Sequence, residues 1–227
     1  MNKSKRNLLI VLVGFPLIYI LYSLMPPAKE LFTEGNTKLF IPFWSGIIIL
    51  QWISFFVVKA FLKQENKTLK DIGYGLNRKK TVILIISYLA FALAIFGFTE
   101  MSLNYVSIDQ DKLAQLSNFY PKTSEHRLFF IIIVFTTGFC EEIIYRGFAI
   151  TKLSDLKMNK WIAIIPAGLS FVLIHGAFAF DQFLYYFILA LVFGAIFVLR
   201  KRLELNIILR LVFNLSAMMA IFQAISK

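Results

Sequence analysis

Long apolar runs separated by short basic clusters make up most of the chain, and few polar positions interrupt those runs. A membrane-crossing helix needs about 20 mostly apolar residues. Seven stretches meet that length: 7–25, 40–62, 81–98, 127–149, 161–180, 183–199 and 205–225. The pattern predicts an all-α fold, a polytopic bundle of about seven transmembrane helices forming one integral membrane domain over residues 1–227. The basic start of the chain and the apolar run after it resemble a signal peptide, but Pro26-Pro27 follows instead of a small-residue cleavage site, so the run reads as a retained first span. There is no internal repeat, low-complexity tract or second domain.

Composition strengthens this picture. Of the 227 residues 59% are apolar, 25 of them Phe, and the mean hydropathy is +0.73; a soluble domain is apolar at roughly half its positions. The formal charge of +11 does not point to nucleic acid, because the bases lie in clusters between apolar segments and not along a polar face. The bilayer is the expected partner. Basic connections favour the cytoplasmic side, and Lys3, Lys5, Arg6, the run from Lys59 to Lys80, Lys152, Lys157, Lys160 and Arg200-Lys201-Arg202 fall on one side of a seven-span chain. The expectation is therefore a multi-pass protein of the cell membrane with a cytoplasmic N-terminus and an extracytoplasmic C-terminus. Segment 63–80 reads either as a basic loop that fixes topology or as an interfacial segment with Leu69, Ile72, Tyr74 and Leu76 as shallow contacts. The connection 100–126 reads as a lid or as a plain connector.

Candidate chemistry lies in the polar residues inside the apolar runs. Adjacent Glu141 and Glu142 with Arg146 stand in the fourth run, where each ionised group costs about 3 kcal/mol to insert. Four-residue spacing puts Glu142 and Arg146 on one helix face, while Glu141 is rotated by about 100°. This leaves Glu141 as a free carboxylate suited to act as a general base on water; the alternative is that both acids only form interhelical ion pairs. Phe171 and His175 share a face of the fifth run, and the imidazole reads as a water-orienting group or a packing residue. Arg210 and Asn214 share a face of the last run, either as oxyanion donors or with Arg210 neutralising a glutamate or snorkelling to the interface. His126 reads as an exposed loop residue, and Gln51 and Asp181 as structural. The lone Cys140 excludes an intramolecular disulfide and reads as a small buried hydrophobe. Without HExxH or another two-histidine set, no metal or cofactor is expected. By helical rise Glu141 and Asn214 lie about 12 Å from the cytoplasmic ends of their runs and His175 about 21 Å, so a common site requires the fifth run to tilt or to start late, near Pro166.

These residues resemble the CPBP or Abi family, which groups CAAX prenyl endopeptidases with bacteriocin-processing and bacteriocin-immunity proteins. EExxxR appears as Glu141-Glu142-Ile-Ile-Tyr-Arg146, followed by Gly147-Phe148, and FxxxH as Phe171-Val-Leu-Ile-His175. The glycine-containing stretch that ends at Gly194 is also similar. The family's HxxxN or HxxxD motif reads Arg210-Leu-Val-Phe-Asn214, with arginine where histidine is usual. The resemblance covers 128–216 within a motif-bearing core of 127–220. It implies a metal-independent glutamic endopeptidase that acts near the cytoplasmic face on a peptide or membrane-protein substrate. Glu141 with His175 would activate water, and Glu142, Arg146, Arg210 and Asn214 would complete the site. It equally allows a catalytically impaired member, a scaffold or bacteriocin-immunity protein that binds a peptide or a membrane partner protein. A small carrier built on membrane carboxylates would explain the charges but not the motif spacing.

Overall fold

The computed structural model describes residues 3–32, 35–75, 121–180 and 182–226, with backbone only at 178, 179 and 220–226. The expected span at 81–98, most of the connection 100–126, and Asp181 lie outside the described residues. Within them the chain is all helical, with seven helices and no strand. They are α1 (Lys3–Ser23), α2 (Pro26–Phe32), α3 (Phe40–Gln64), α4 (Ser124–Asp155), α5 (Ile164–Leu173), α6 (Phe183–Arg200) and α7 (Leu203–Ser226). Helices α1, α4 and α6, and α3 with the short 3₁₀ turn before it, are long and apolar enough to cross a membrane; α7, at 24 residues, has span length as well.

The fifth apolar run departs from expectation. Its helix holds only 10 residues, about 15 Å, and is too short to cross. Residues 161–163 form turns instead, with the Ala163 amide on the Asn159 carbonyl at 2.8 Å. At the far end the chain breaks at Gly176, whose φ of +79° suits glycine. Helix α4 conversely runs on to Asp155, past the expected end at Ala149. Helices α5 and α6 form a close hairpin. A Cβ on Gly194 would sit 2.5 Å from Ile164 Cγ2, and one on Gly168 would sit 3.2 Å from Ala190 Cβ. Small residues at these positions let the two backbones approach where lipid supplies little driving force.

Four contacts gather the basic clusters at one end of the bundle. Asn7 Nδ2 reaches Gln64 Oε1 at 3.5 Å, and the Leu203 amide donates to the Gly73 carbonyl at 2.9 Å. Lys152 pairs with Glu65, and Lys67 lies 2.6 Å from Asp155. Over its described residues, 65–75, the segment after α3 is neither a free loop nor a lipid-facing strip. Ile72 is buried beneath α4, Leu69 and Tyr74 pack on the same core, and Leu76 lies outside the described residues. Gly147 makes room for this plug, since a Cβ there would meet Leu203 Cδ1 at 2.6 Å and Ile72 Cδ1 at 3.0 Å. At the opposite end His126 is not an exposed loop residue. It lies in the first turn of α4, 9% exposed, with its ring stacked on Phe40 at 4.6 Å. Its apolar ring faces are cheaper to bury there than to leave in water, as for other amphipathic side chains.

Candidate active site

Around Glu141 the α-helical hydrogen bonding of α4 gives way to a π-helical stretch, Glu142–Ile150, in which all nine residues are buried. Such wider turns recur at functional sites, because they re-aim side chains that a regular helix would point elsewhere. Adjacent Glu141 and Glu142 face different neighbours, as their rotation around the axis predicts. Both are buried, at 3% and 0% exposure, so each ionised group needs partners inside the bundle.

Glu142 has the expected partner and one unforeseen one. Its Oε1 lies 3.3 Å from Arg146 Nη1, and its Oε2 accepts from Asn206 Nδ2 at 3.1 Å. The same amide donates to the Phe193 carbonyl at 2.7 Å, which ties α4, α6 and α7 together at one point. Glu141 is not the free carboxylate that the spacing implied. Arg210 Nη2 donates to its Oε2 at 3.2 Å, and Gln51 Nε2, from α3, donates to its Oε1 at 3.1 Å. The reason is packing: α4 lies between α3 and α7, and the face turned away from Arg146 meets polar groups of both. Arg210 is 4% exposed and therefore does not snorkel to the interface.

The two guanidiniums share an aromatic platform. Arg146 Cζ stands 4.2 Å from the centroid of Phe171 and Arg210 Cζ 4.9 Å, and both lie within 6 Å of Phe193. Cations over aromatic faces gain electrostatic attraction, more so where water is excluded. Phe171, which the sequence marks only as the first residue of FxxxH, thus links the charged cluster to His175. The imidazole follows the end of α5, with its ring 4.9 Å from Phe171 and 4.1 Å from Tyr186. Its Nδ1 is 3.0 Å from the Phe171 carbonyl. A carbonyl only accepts, so Nδ1 donates there and Nε2 is left as the acceptor nitrogen. Asn214, one turn beyond Arg210 on α7, is half-buried and is not among the groups bonded to either glutamate.

The helix limits narrow the expected difference in depth from about 9 Å to about 5 Å. Counted from Asp155, Ile164 and Leu203 at the basic end, Glu141 lies about 21 Å, His175 about 16 Å and Asn214 about 16 Å along their helices. The late start of α5 accounts for most of that change, and His175 reaches the glutamates only by way of Phe171, on which both guanidiniums stand. Chemically, the cluster is two carboxylates against two guanidiniums with donors to spare. Arg210 Nε and Nη1 and Arg146 Nη2 are buried without a hydrogen-bond acceptor among the described residues, and Arg146 Nη1 has only its ion-pair contact with Glu142 Oε1. Among those residues no three His, Cys, Asp or Glu side chains group as a metal-ligand set. Cys140, beside Glu141 in the chain, is a buried free thiol.

Sequence reasoning missed Asn206 and set Gln51 aside as structural. A signal for Asn206 exists, since Asn206, Arg210 and Asn214 recur every four residues along one face of α7.

The fold and this cluster define a polytopic helical membrane protein with paired glutamates and arginines in its interior. Residues 123–216 match the CPBP-family model described as type II CAAX prenyl endopeptidase Rce1-like. The matched segment contains Glu141, Glu142, Arg146, His175, Arg210 and Asn214 but not Gln51. No curated protein and no solved structure matches the chain.

Proposed function

We propose that this protein is a metal-independent glutamic endopeptidase of the CAAX-protease type, acting on a peptide or membrane-protein substrate at the depth of Glu141. The observation that carries this reading is the state of Arg210: it is held by Glu141 through Nη2, while Nε and Nη1 are buried with no acceptor among the described residues. A buried donor without a partner is costly, and a carbonyl oxygen acquiring negative charge satisfies it. In this reading Glu141 takes a proton from a water oriented by His175, and the oxygen attacks the scissile carbonyl. Arg210, with Asn214, holds the oxyanion, and Glu141 returns its proton to the leaving nitrogen. Glu142, Arg146 and Asn206 keep the π-helical stretch in register. No nucleic acid is involved, and the substrate reaches the site through the bilayer or from the basic end.

In purified protein, Glu141→Gln, which keeps an oxygen for Arg210, and His175→Ala are each expected to abolish processing of a substrate peptide while the fold persists. Processing that survives either change overturns the mechanism. A second reading has its own observation: the 3.2 Å ion pair engages the carboxylate that should act as base. A scaffold or bacteriocin-immunity member that binds a peptide or membrane partner would keep such a pair permanently. Arg210→His separates the two readings. It raises processing if histidine is the better donor, and it leaves partner binding without any processing if the chain is a scaffold.

A further inference from the structure

We infer that Gln51 is a positioning residue for the Glu141 carboxylate, and that the site is therefore completed by a helix outside the matched family segment. This rests on the proposed role of Glu141 as the base. Gln51 is 2% exposed in the middle of α3. It donates to Glu141 Oε1 at 3.1 Å, while Arg210 donates to Oε2 at 3.2 Å. A carboxylate offers about four lone-pair sites and accepts only, so the direction of both bonds is fixed. Two donors from different helices, α3 and α7, one on each oxygen, set the carboxylate plane and leave one lone-pair site on each oxygen for a water proton.

Arg210 alone would not do this. A single bond to Oε2 leaves the carboxylate free to rotate about its terminal torsion, which is broad and two-fold for Glu. The second bond removes that freedom, and α3 is well placed to hold it. Trp52, the residue after Gln51, and Phe55, one turn on, pack against α4 at 5.9 Å and 5.4 Å from the Phe139 ring. The amide is thus anchored by the same contact that joins the two helices. Side chains placed within about 0.5 Å of productive geometry need such supporting partners.

The test uses the full chain in detergent or liposomes. Gln51→Met keeps the length and volume of the side chain and removes the donor. The expected result is a fall in kcat of about tenfold or more with KM unchanged, because Gln51 touches the base and not the substrate. Infrared difference spectra against Glu141→Gln should also show the Glu141 carboxylate stretch shifted in Gln51→Met, with the melting temperature held. A lowered melting temperature with an unmoved carboxylate band and unchanged kcat makes Gln51 a packing residue and overturns the inference. If the unmodified protein processes no peptide, the peptidase reading falls by itself. The infrared comparison still decides whether Gln51 holds Glu141.

Discussion

Glu141 and Arg210 are buried to nearly the same degree and joined at 3.2 Å, so the consequence of removing either depends on what the other is left facing. Arg210→Met leaves an ionised carboxylate with one amide donor inside the bundle, a change that typically costs about 3–5 kcal/mol. Removing both charges together, as Glu141→Leu with Arg210→Met, is expected to recover most of that loss, since well-packed apolar groups replace a buried pair at little cost. Reversible unfolding in mixed micelles checks the cycle; independent, additive losses would show that the pair is not coupled. Part of this residue-level picture is readable in the chain. The Glu142 to Arg146 pairing follows from four-residue spacing on one helix. The partners of Glu141 do not, because Gln51 and Arg210 lie 90 and 69 positions away and meet it only through the register of α3 and α7 against α4.

At the level of elements, the short α5 and the turn after it do the most to place His175. Gly176 brings the turn against α1, where a Cβ would fall 2.4 Å from Ser23 Cβ, and the Ala177 amide donates to Ser23 Oγ at 2.9 Å. Gly176→Ala combines strain at positive φ with that collision and is expected to cut processing at least tenfold, whereas Gly75→Ala, with nothing within 4 Å, should be silent. Equal activity in the two variants would remove the turn from the site. The uninterrupted apolarity of 161–180 conceals this break: hydropathy does not register a left-handed glycine or a turn inside a run of bilayer length. The plug after α3 is hidden for a similar reason. Its charges suggest solvent, yet Ile72 and Tyr74 alternate with them and face the core. Its capping box holds the Asp71 carboxyl below the usual 3.8 through bonds from the Thr68 amide, at 2.6 Å, and the Thr68 hydroxyl. A depressed carboxyl stabilises the folded form above its ordinary value and loses that contribution as pH falls through the lowered one. Amide exchange over 69–74 should therefore quicken only in strong acid, and Thr68→Val should quicken it at neutral pH; an unchanged rate in that variant would mean that packing of Ile72 alone holds the segment.

For the molecule as a whole, the gathering of basic clusters at one end converts a charge count into a claim about orientation. Contacts of α1 with the end of α3, of the end of α3 with α4, and of the plug with the start of α7 put the segments that carry Lys5, Lys67 and Lys157 at one end, and Lys38 precedes α3 at the other. The sign of that asymmetry predicts that the basic end is cytoplasmic. At 32 residues α4 is longer than a hydrocarbon core of about 30 Å requires, and its last turns carry the charged Lys152 and Asp155. The buried thiol of Cys140 gives little background for labelling, so Lys5→Cys, Lys157→Cys and Lys38→Cys report on the two faces directly. In sealed right-side-out vesicles an impermeant maleimide should label Lys38→Cys at once, and should label the other two only after permeabilisation. The opposite pattern would invert the protein and put the approach to Glu141 from the basic end on the outer face. Labelling of all three in sealed vesicles would mean that the basic end is not confined to one side of the membrane.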